Sequence, residues 1–222
     1  MMGVALGIHP RTLERLSPLS LAISVGLYSQ PLSSKPMRTY TKKGFPVGDI
    51  RRFLEPGPIV LISSAHRGAR TIMTCGWHMV MEIEPSRVGC YVWEENRSRA
   101  LIRRSRECVI NIPTADMLDT VIDVGNYHGD EFDKFEHFGL TPVPGAKVKA
   151  PLIAECFASF ECKVIDTSLV NRYSLFVFEV VRAHVATSPR SPATVHYRGN
   201  GVFMLSGRNV NRRRRFKPEN LN

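Results

Sequence analysis

The chain has 222 residues, 43% hydrophobic and 23% charged, which suits one large globular domain or two small ones and excludes a disordered or collagen-like chain. Its formal charge of +10 is uneven: residues 208–222 carry +5, residues 1–36 carry +2, and the body 37–207 keeps only +3. A basic tail on a nearly balanced body excludes a basic DNA-reading domain, and with only Phe216 among its cations the tail offers no ladder of aromatics for single strands.

Residues 1–36 mix Ser, Leu and Pro without a sustained period, and Pro18, Pro31 and Pro36 interrupt any helix. The apolar part of 16–28 is too short and too rich in Ser to span a membrane, and no small-x-small cleavage site follows it. We read 1–36 as a leader or a mis-called start, expected to be disordered, with Met37 as the functional start. The body 37–207 is the expected domain and 208–222 a basic tail. Cys75, Cys90, Cys108, Cys156 and Cys162 form an odd set with no CxxC pair, which points to reduced thiols in a cytoplasmic protein and to no metal site.

The run IVLIS at 59–63 predicts a strand, and 71–82 alternates as a second one, the pair forming a hairpin across the HRGAR turn. A third strand falls at 87–93. The segment after Asn96 suits a short amphipathic helix, 108–114 is a strand ended by Pro113, and 117–124 is helical with a stop at Gly125. A loop rich in Gly and Pro runs to about 145. Long strands at 152–170 and 173–187 predict a second hairpin joined near 170–172, and 195–207 a short strand pair or a strand with a bulge at the glycines. Six or seven strands pairing with sequence neighbours predict a mainly β fold with short helices, a closed antiparallel barrel.

The common nucleotide, zinc-protease and hydrolase motifs are absent. Two features point to a ligand. Asn96-Arg97-Ser98-Arg99 opens a helix, where free N–H groups, the helix dipole, two guanidinium groups and a hydroxyl suit a phosphate; ordinary N-capping by Asn96 or Ser98 is the other reading of the same residues. The stretch Thr71 to Trp77 combines small hydroxyl residues, a glycine and an indole, a surface suited to a flat polar heterocycle. His78 beside Trp77, and His128 between Tyr127 and Gly129, are the two histidines in informative surroundings.

In order, EPGPIVLIS, TIMTCGWHM, NRSRALIRRSRECVINIPT, GNYHGDEFDKFEHFGLTPVPG and VKAPLIAECFASFECKV resemble the flavin reductase-like family, over about 38–207. Five separated motifs in family order make the resemblance specific. It implies a split β-barrel that binds FMN. The family strand N-x-x-T-x-S-W falls on Thr71, Thr74, Gly76 and Trp77, so that backbone at Met73, Thr74 and Cys75 would meet the ring edge; the family Asn is Thr71 here and the Ser is Gly76. The helix-start hydroxyl toward the phosphate falls on Ser98, flanked by Arg97 and Arg99. The loop S-G-x-x-x-D-K-F falls on His128, Gly129, Asp133, Lys134 and Phe135, which makes Lys134 a phosphate or ribityl contact and puts His128 in place of a serine. Tyr173 and Phe203 stand where late strands could reach the flavin of another subunit.

The resemblance also implies an FMN-dependent oxidoreductase with NADH or NADPH as donor, or a flavoredoxin-like carrier or flavin-binding protein without turnover. In each case the reactive atom belongs to the flavin and no side chain has to be a nucleophile or base. A homodimer is implied, with Trp77, Tyr197 and Phe203 as candidates for its apolar surface. Neither nucleic acid nor membrane is an expected partner.

Overall fold

The computed structural model describes residues 37–54, 56–129 and 131–220. The expected leader lies outside them. The β-branched run after Pro58 forms β2 (Val60–His66), which turns at Arg67-Gly68 into β3 (Ala69–Cys75), with Val60 opposite Cys75 and His66 opposite Ala69. The turn matches the sequence reading. The stretch after it does not remain one strand: β3 ends at Cys75, and after Gly76 and Trp77 the chain continues as β4 (His78–Glu82), paired with β5 (Arg87–Tyr91).

The remaining strands of the sheet are β1 (Lys42–Phe45), β6 (Glu107–Ile112), β9 (Ala158–Asp166) and β10 (Leu175–Ala186). The order is β3-β2-β6-β9-β10-β5-β4, all antiparallel, with β1 on the far half of β10. Register shifts at Val177/Phe178 and at Val180/Arg182 disrupt the β9–β10 ladder locally, as bulges that bend a strand do. The expected closed barrel is corrected here. β3 and β4 stand at opposite edges of the path, and no ladder joins them among the described residues. Each of the two is paired on one side only, β3 with β2 and β4 with β5, and the chain passes from one edge to the other through the two-residue corner at Gly76-Trp77. Tyr91 N donates to Trp77 O at 2.9 Å, which extends the β4–β5 pairing into that corner.

Period-two alternation sends Val60 and Ile62, Met73 and Cys75, Val88 and Cys90, Cys108 and Ile110, Phe160 and Cys162, and Phe176 and Phe178 into one interior cluster. Helix α1 (Arg51–Leu54) adds Leu54, and α2 (Arg97–Ser105) adds Ile102 while packing on β2 and β3. The outer face of β2 and β3 is also apolar, at Leu61 and Ile72. It is covered by Val121 and Val124 of α3 (Leu118–Asn126) and by Phe135 of α4 (Lys134–His137). Helix α3 runs through Gly125 rather than stopping there. The expected long strand 152–170 is divided into β8 (Leu152–Ile153), paired with β7 (Pro142–Val143), and β9. The second hairpin is joined by a short helix α5 (Val170–Tyr173). The last pair, β11 (Val195–Gly199) and β12 (Val202–Leu205), forms as expected, joined at Asn200-Gly201.

All five cysteines are buried and unbridged. No helix among the described residues is long and apolar enough to cross a membrane, and no group of His, Cys, Asp or Glu among them is placed to hold a metal ion.

Candidate functional site

The start of α2 is the centre of the site. Asn96 occupies the N-cap position with extended backbone, yet its side chain makes no cap hydrogen bond. Ser98 is buried at 1% exposure, and its Oγ has no hydrogen-bond partner. The N-capping alternative therefore fails for both residues, and the helix terminus keeps its positive end uncovered by a side-chain oxygen.

Thr71 on β3 is the second buried hydroxyl without a partner near this point. Residue 129 lies against it: a Cβ added at Gly129 would collide with Thr71 Oγ1 and stand 3.1 Å from Arg97 Cδ. Glycine is required for this close approach, which draws the 128–129 turn onto β3 and the start of α2. A buried unpaired hydroxyl costs about 1–3 kcal/mol, so two of them beside one helix N-terminus mark a place where an acceptor belongs.

From there a groove follows β3 along two adjoining hollows. Met73, Thr74, Asn96, His128 and Lys134 line the first, together with Trp93, Glu95 and Tyr127. The second shares Met73, Trp93 and Asn96 and extends to Cys75, Gly76 and Trp77. The structure thus brings Met73, Thr74, Cys75, Trp77, His128 and Lys134 to one groove, with Thr71, Arg97 and Ser98 at its phosphate-like end. The free space at the first hollow is about 20 Å³, room for one water.

Individual side chains qualify the sequence reading. Thr74 Oγ1 donates to Val121 O at 2.7 Å, so its hydroxyl anchors α3 and only its backbone is open to a ligand. The Cys75 thiol is pushed up to about 12 by burial, against a smaller lowering from its hydrogen bond to Trp77 O. It is therefore a neutral donor at the corner. His78 has its pKa lowered by burial, against a raising contribution from its contact with Pro58 O at 2.7 Å, and it holds the hairpin rather than the groove. Lys134 is 3% exposed and its Nζ donates to Val124 O at 2.7 Å.

One expectation is corrected. Arg99 does not face the phosphate end: its guanidinium donates to Ser174 Oγ at 2.7 Å, Val170 O at 3.1 Å and Val92 O at 3.4 Å, tying α2 to α5. With three acceptors on that side, the Arg99 guanidinium is committed to the α5 end of the chain and not to the start of α2. Tyr173 and Phe203, expected to reach the flavin of another subunit, lie away from this chain's own groove. Tyr173 ends α5, 54% exposed, with Arg172 over its ring at 5.3 Å, and Phe203 packs on Tyr197 at 5.1 Å over the outer core. Trp93, Glu95 and Tyr127 line the groove without having been singled out from the sequence. An aromatic that closes a strand just before a helix start was the available signal for Trp93.

Beyond the groove, Met79 and Met81 of β4 and Trp77 and Ile83 on either side of it are all 40% exposed or more, forming an apolar stripe along this edge. Trp77 packs edge-on against Tyr91 at 5.0 Å.

The mainly β architecture with short helices agrees with what the comparisons find. The flavin reductase like domain matches residues 51–203, and the chain belongs to that family. An uncharacterised Escherichia coli (strain K12) protein, YddH, is 34% identical over 173 residues, spanning 72% of this chain and 92% of that one. Among solved structures, the FMN-binding domain of a flavin reductases-like enzyme from Shewanella baltica OS155 superposes with TM-score 0.73 at 24% identity, covering 78% of this chain and 98% of that one. The flavoredoxin of Desulfovibrio vulgaris (Miyazaki F) has TM-score 0.65 at 20% identity, covering 83% and 97%.

Proposed function

We propose that the groove holds FMN and that the protein is an FMN-dependent oxidoreductase, with NADH or NADPH as electron donor. The observation that carries this reading is Ser98: a fully buried hydroxyl without a partner, at the uncapped start of a nine-residue helix, beside a second such hydroxyl at Thr71. A phosphate oxygen satisfies both the hydroxyl and the helix terminus, and Gly129 supplies the close backbone wall.

When bound, the flavin supplies the two-electron chemistry. The chain's own residues bind and orient it. Ser98, Thr71 and the α2 N-terminus take the phosphate end, and Lys134 places a cation beside them. The backbone of Met73 to Cys75 offers N–H and C=O groups to the polar edge of the ring, and Met73, Trp93 and Trp77 supply apolar surface that keeps water from it. Cys75 stays a thiol and transfers no proton. His128 stands where a small hydroxyl residue would leave more room, so it shapes access to the groove.

We further propose a homodimer through the β4 stripe, because four large apolar side chains along one sheet edge bury well only against another surface.

Anaerobic titration of the FMN-loaded protein with NADH and then NADPH tests the activity. Bleaching of the flavin band by either one supports the reductase. Bound flavin that neither reduces overturns the donor assignment and leaves an electron carrier.

A further inference from the structure

The largest hollow described lies away from the flavin groove, at the other ends of β3 and α2. It is a cleft of about 810 Å³, within the range of small-ligand sites. The tip of the β2–β3 hairpin, the C-terminal end of α2 and the segment from Pro142 to Pro151 enclose it.

Its chemistry is cationic over an apolar floor. Arg67, Arg70, Arg104 and Lys149 line it, with Glu107 as the one carboxylate. Arg70 is engaged by Asp133 at 2.7 Å and by Glu136 at 3.7 Å, and Glu107 accepts from Lys149 N at 2.9 Å. No hydrogen bond or ion pair among the described residues engages the side chains of Arg67, Arg104 or Lys149. The end of α2 that faces the cleft is its negative end, worth roughly half a charge, so three full side-chain charges decide the sign.

Two further observations show a built site. Arg67 sits at φ 50 and Gly68 at φ 84, a two-residue turn in which both residues are left-handed. Asparagine or glycine is the ordinary choice at the first position, and an arginine there is held in a sparsely populated conformation at the cleft rim. The opposite wall is also fixed from behind. The buried Glu161 carboxylate accepts from Ala146 N at 3.1 Å, Lys147 N at 2.5 Å and Val148 N at 2.9 Å, and Ser63 Oγ donates to Pro151 O at 2.5 Å. Lys149 therefore stands between two anchored points, in the same lining as Pro142, Pro144 and Pro151.

We infer that this cleft binds a nucleoside diphosphate, its base on the proline floor and its diphosphate on Arg67, Arg104 and Lys149. A diphosphate of about three negative charges meets three cations that outnumber the one carboxylate, Glu107, and the fork geometry of two arginines suits phosphate oxygens. The cleft shares no lining residue with the groove, although Arg70 directly precedes Thr71 on β3; Ser98 and Arg104 are about 9 Å apart along α2, and Arg70 and Cys75 about 17 Å apart along β3.

Calorimetric titration of the full chain, saturated with FMN, with ADP at low ionic strength tests the inference. The expected result is one ADP per chain, bound at least about tenfold more tightly than adenosine, and weakened about tenfold or more by Arg104→Ala and by Arg67→Gly. Arg67→Gly relieves the strained turn, so it should raise the Tm while it lowers ADP affinity, which separates loss of the ligand from loss of the fold. FMN affinity should be the same in all three proteins. Absence of ADP binding, ADP binding indifferent to both substitutions, displacement of ADP by excess FMN, or binding of an acidic peptide in place of ADP would each overturn it.

Discussion

The buried ammonium of Lys134 donates to the carbonyl of Val124 at 2.7 Å, which ties the first residue of α4 to the last turn of α3 across the outer face of the sheet. A cation at a helix C-terminus is favourable, and this one also stands on the wall of the groove beside β3. One side chain thus serves packing and electrostatics together.

Lys134→Met should therefore show two effects. It removes the partner of a buried carbonyl, which should lower stability by about 1–3 kcal/mol, and it removes a charge, which should weaken FMN more than riboflavin. Thermal unfolding and parallel titrations with the two flavins measure these separately. An unchanged Tm would show that the Val124 contact does not hold the helices.

Gly129 and Thr71 should be coupled. Adding a methyl group at 129 forces it against Thr71 Oγ1, so Gly129→Ala should destabilise by about 1–3 kcal/mol as overpacking does. In a Thr71→Ala background the same substitution should cost less, because the colliding atom is gone. Unfolding curves of the four proteins make a double-mutant cycle, and simple additivity would contradict the packing described.

Much of this was legible in the sequence, and what was not has identifiable causes. The β2–β3 hairpin, the start of α2 and the β11–β12 pair follow from local chemistry: a β-branched run, a polar helix entry and an Asn-Gly turn. The break at Gly76 left no trace in the pattern, because residues on both sides of it alternate as strands, and which sheet edge each half joins depends on β5, more than ten residues away. Arg99 was misassigned because its partners, Ser174 and Val170, are more than seventy residues distant. Helix α3 passes Gly125 despite a propensity cost of roughly 1 kcal/mol, since Val121 and Val124 are packed on β2 and β3 and Lys134 holds its end. The groove residues of β3 were legible because they share one short strand; Trp93 and Tyr127 reach it from separate segments.

Acid sensitivity should trace to Glu161. Burial acts to raise its pKa, but the hydrogen bond from His184 at 2.7 Å and the backbone donors of Lys147, Ala146 and Val148 together hold it below the usual carboxylate value. In the unfolded chain the group takes up its proton near pH 4.3, while in the folded protein it stays charged to lower pH. The unfolded state then binds more protons, so this stabilisation is present above that pH and is lost as pH falls through the folded value. The Tm of the native sequence should fall more steeply between pH 5 and 3 than that of Glu161→Gln, which should start lower at pH 7. Parallel slopes would show that another group controls the acid limb.

The cysteines should be silent in the native state. Burial raises the pKa of Cys75 to about 12 and raises those of Cys90, Cys108 and Cys156, and Cys162 is equally enclosed. A thiol-reactive disulfide reagent at pH 8 should report none of the five before unfolding and all five after it. A fast-reacting thiol in the folded protein would contradict the burial described.

The central claim is that Ser98 and the start of α2 receive the phosphate of FMN, and it is tested most directly by comparing FMN and riboflavin affinities in the native protein and in Ser98→Ala. The account predicts one FMN per chain, a clear preference for FMN over riboflavin, and a loss of about tenfold in FMN affinity with riboflavin little changed in the variant. Equal losses for both flavins, or no uptake of FMN by the native protein, would contradict it.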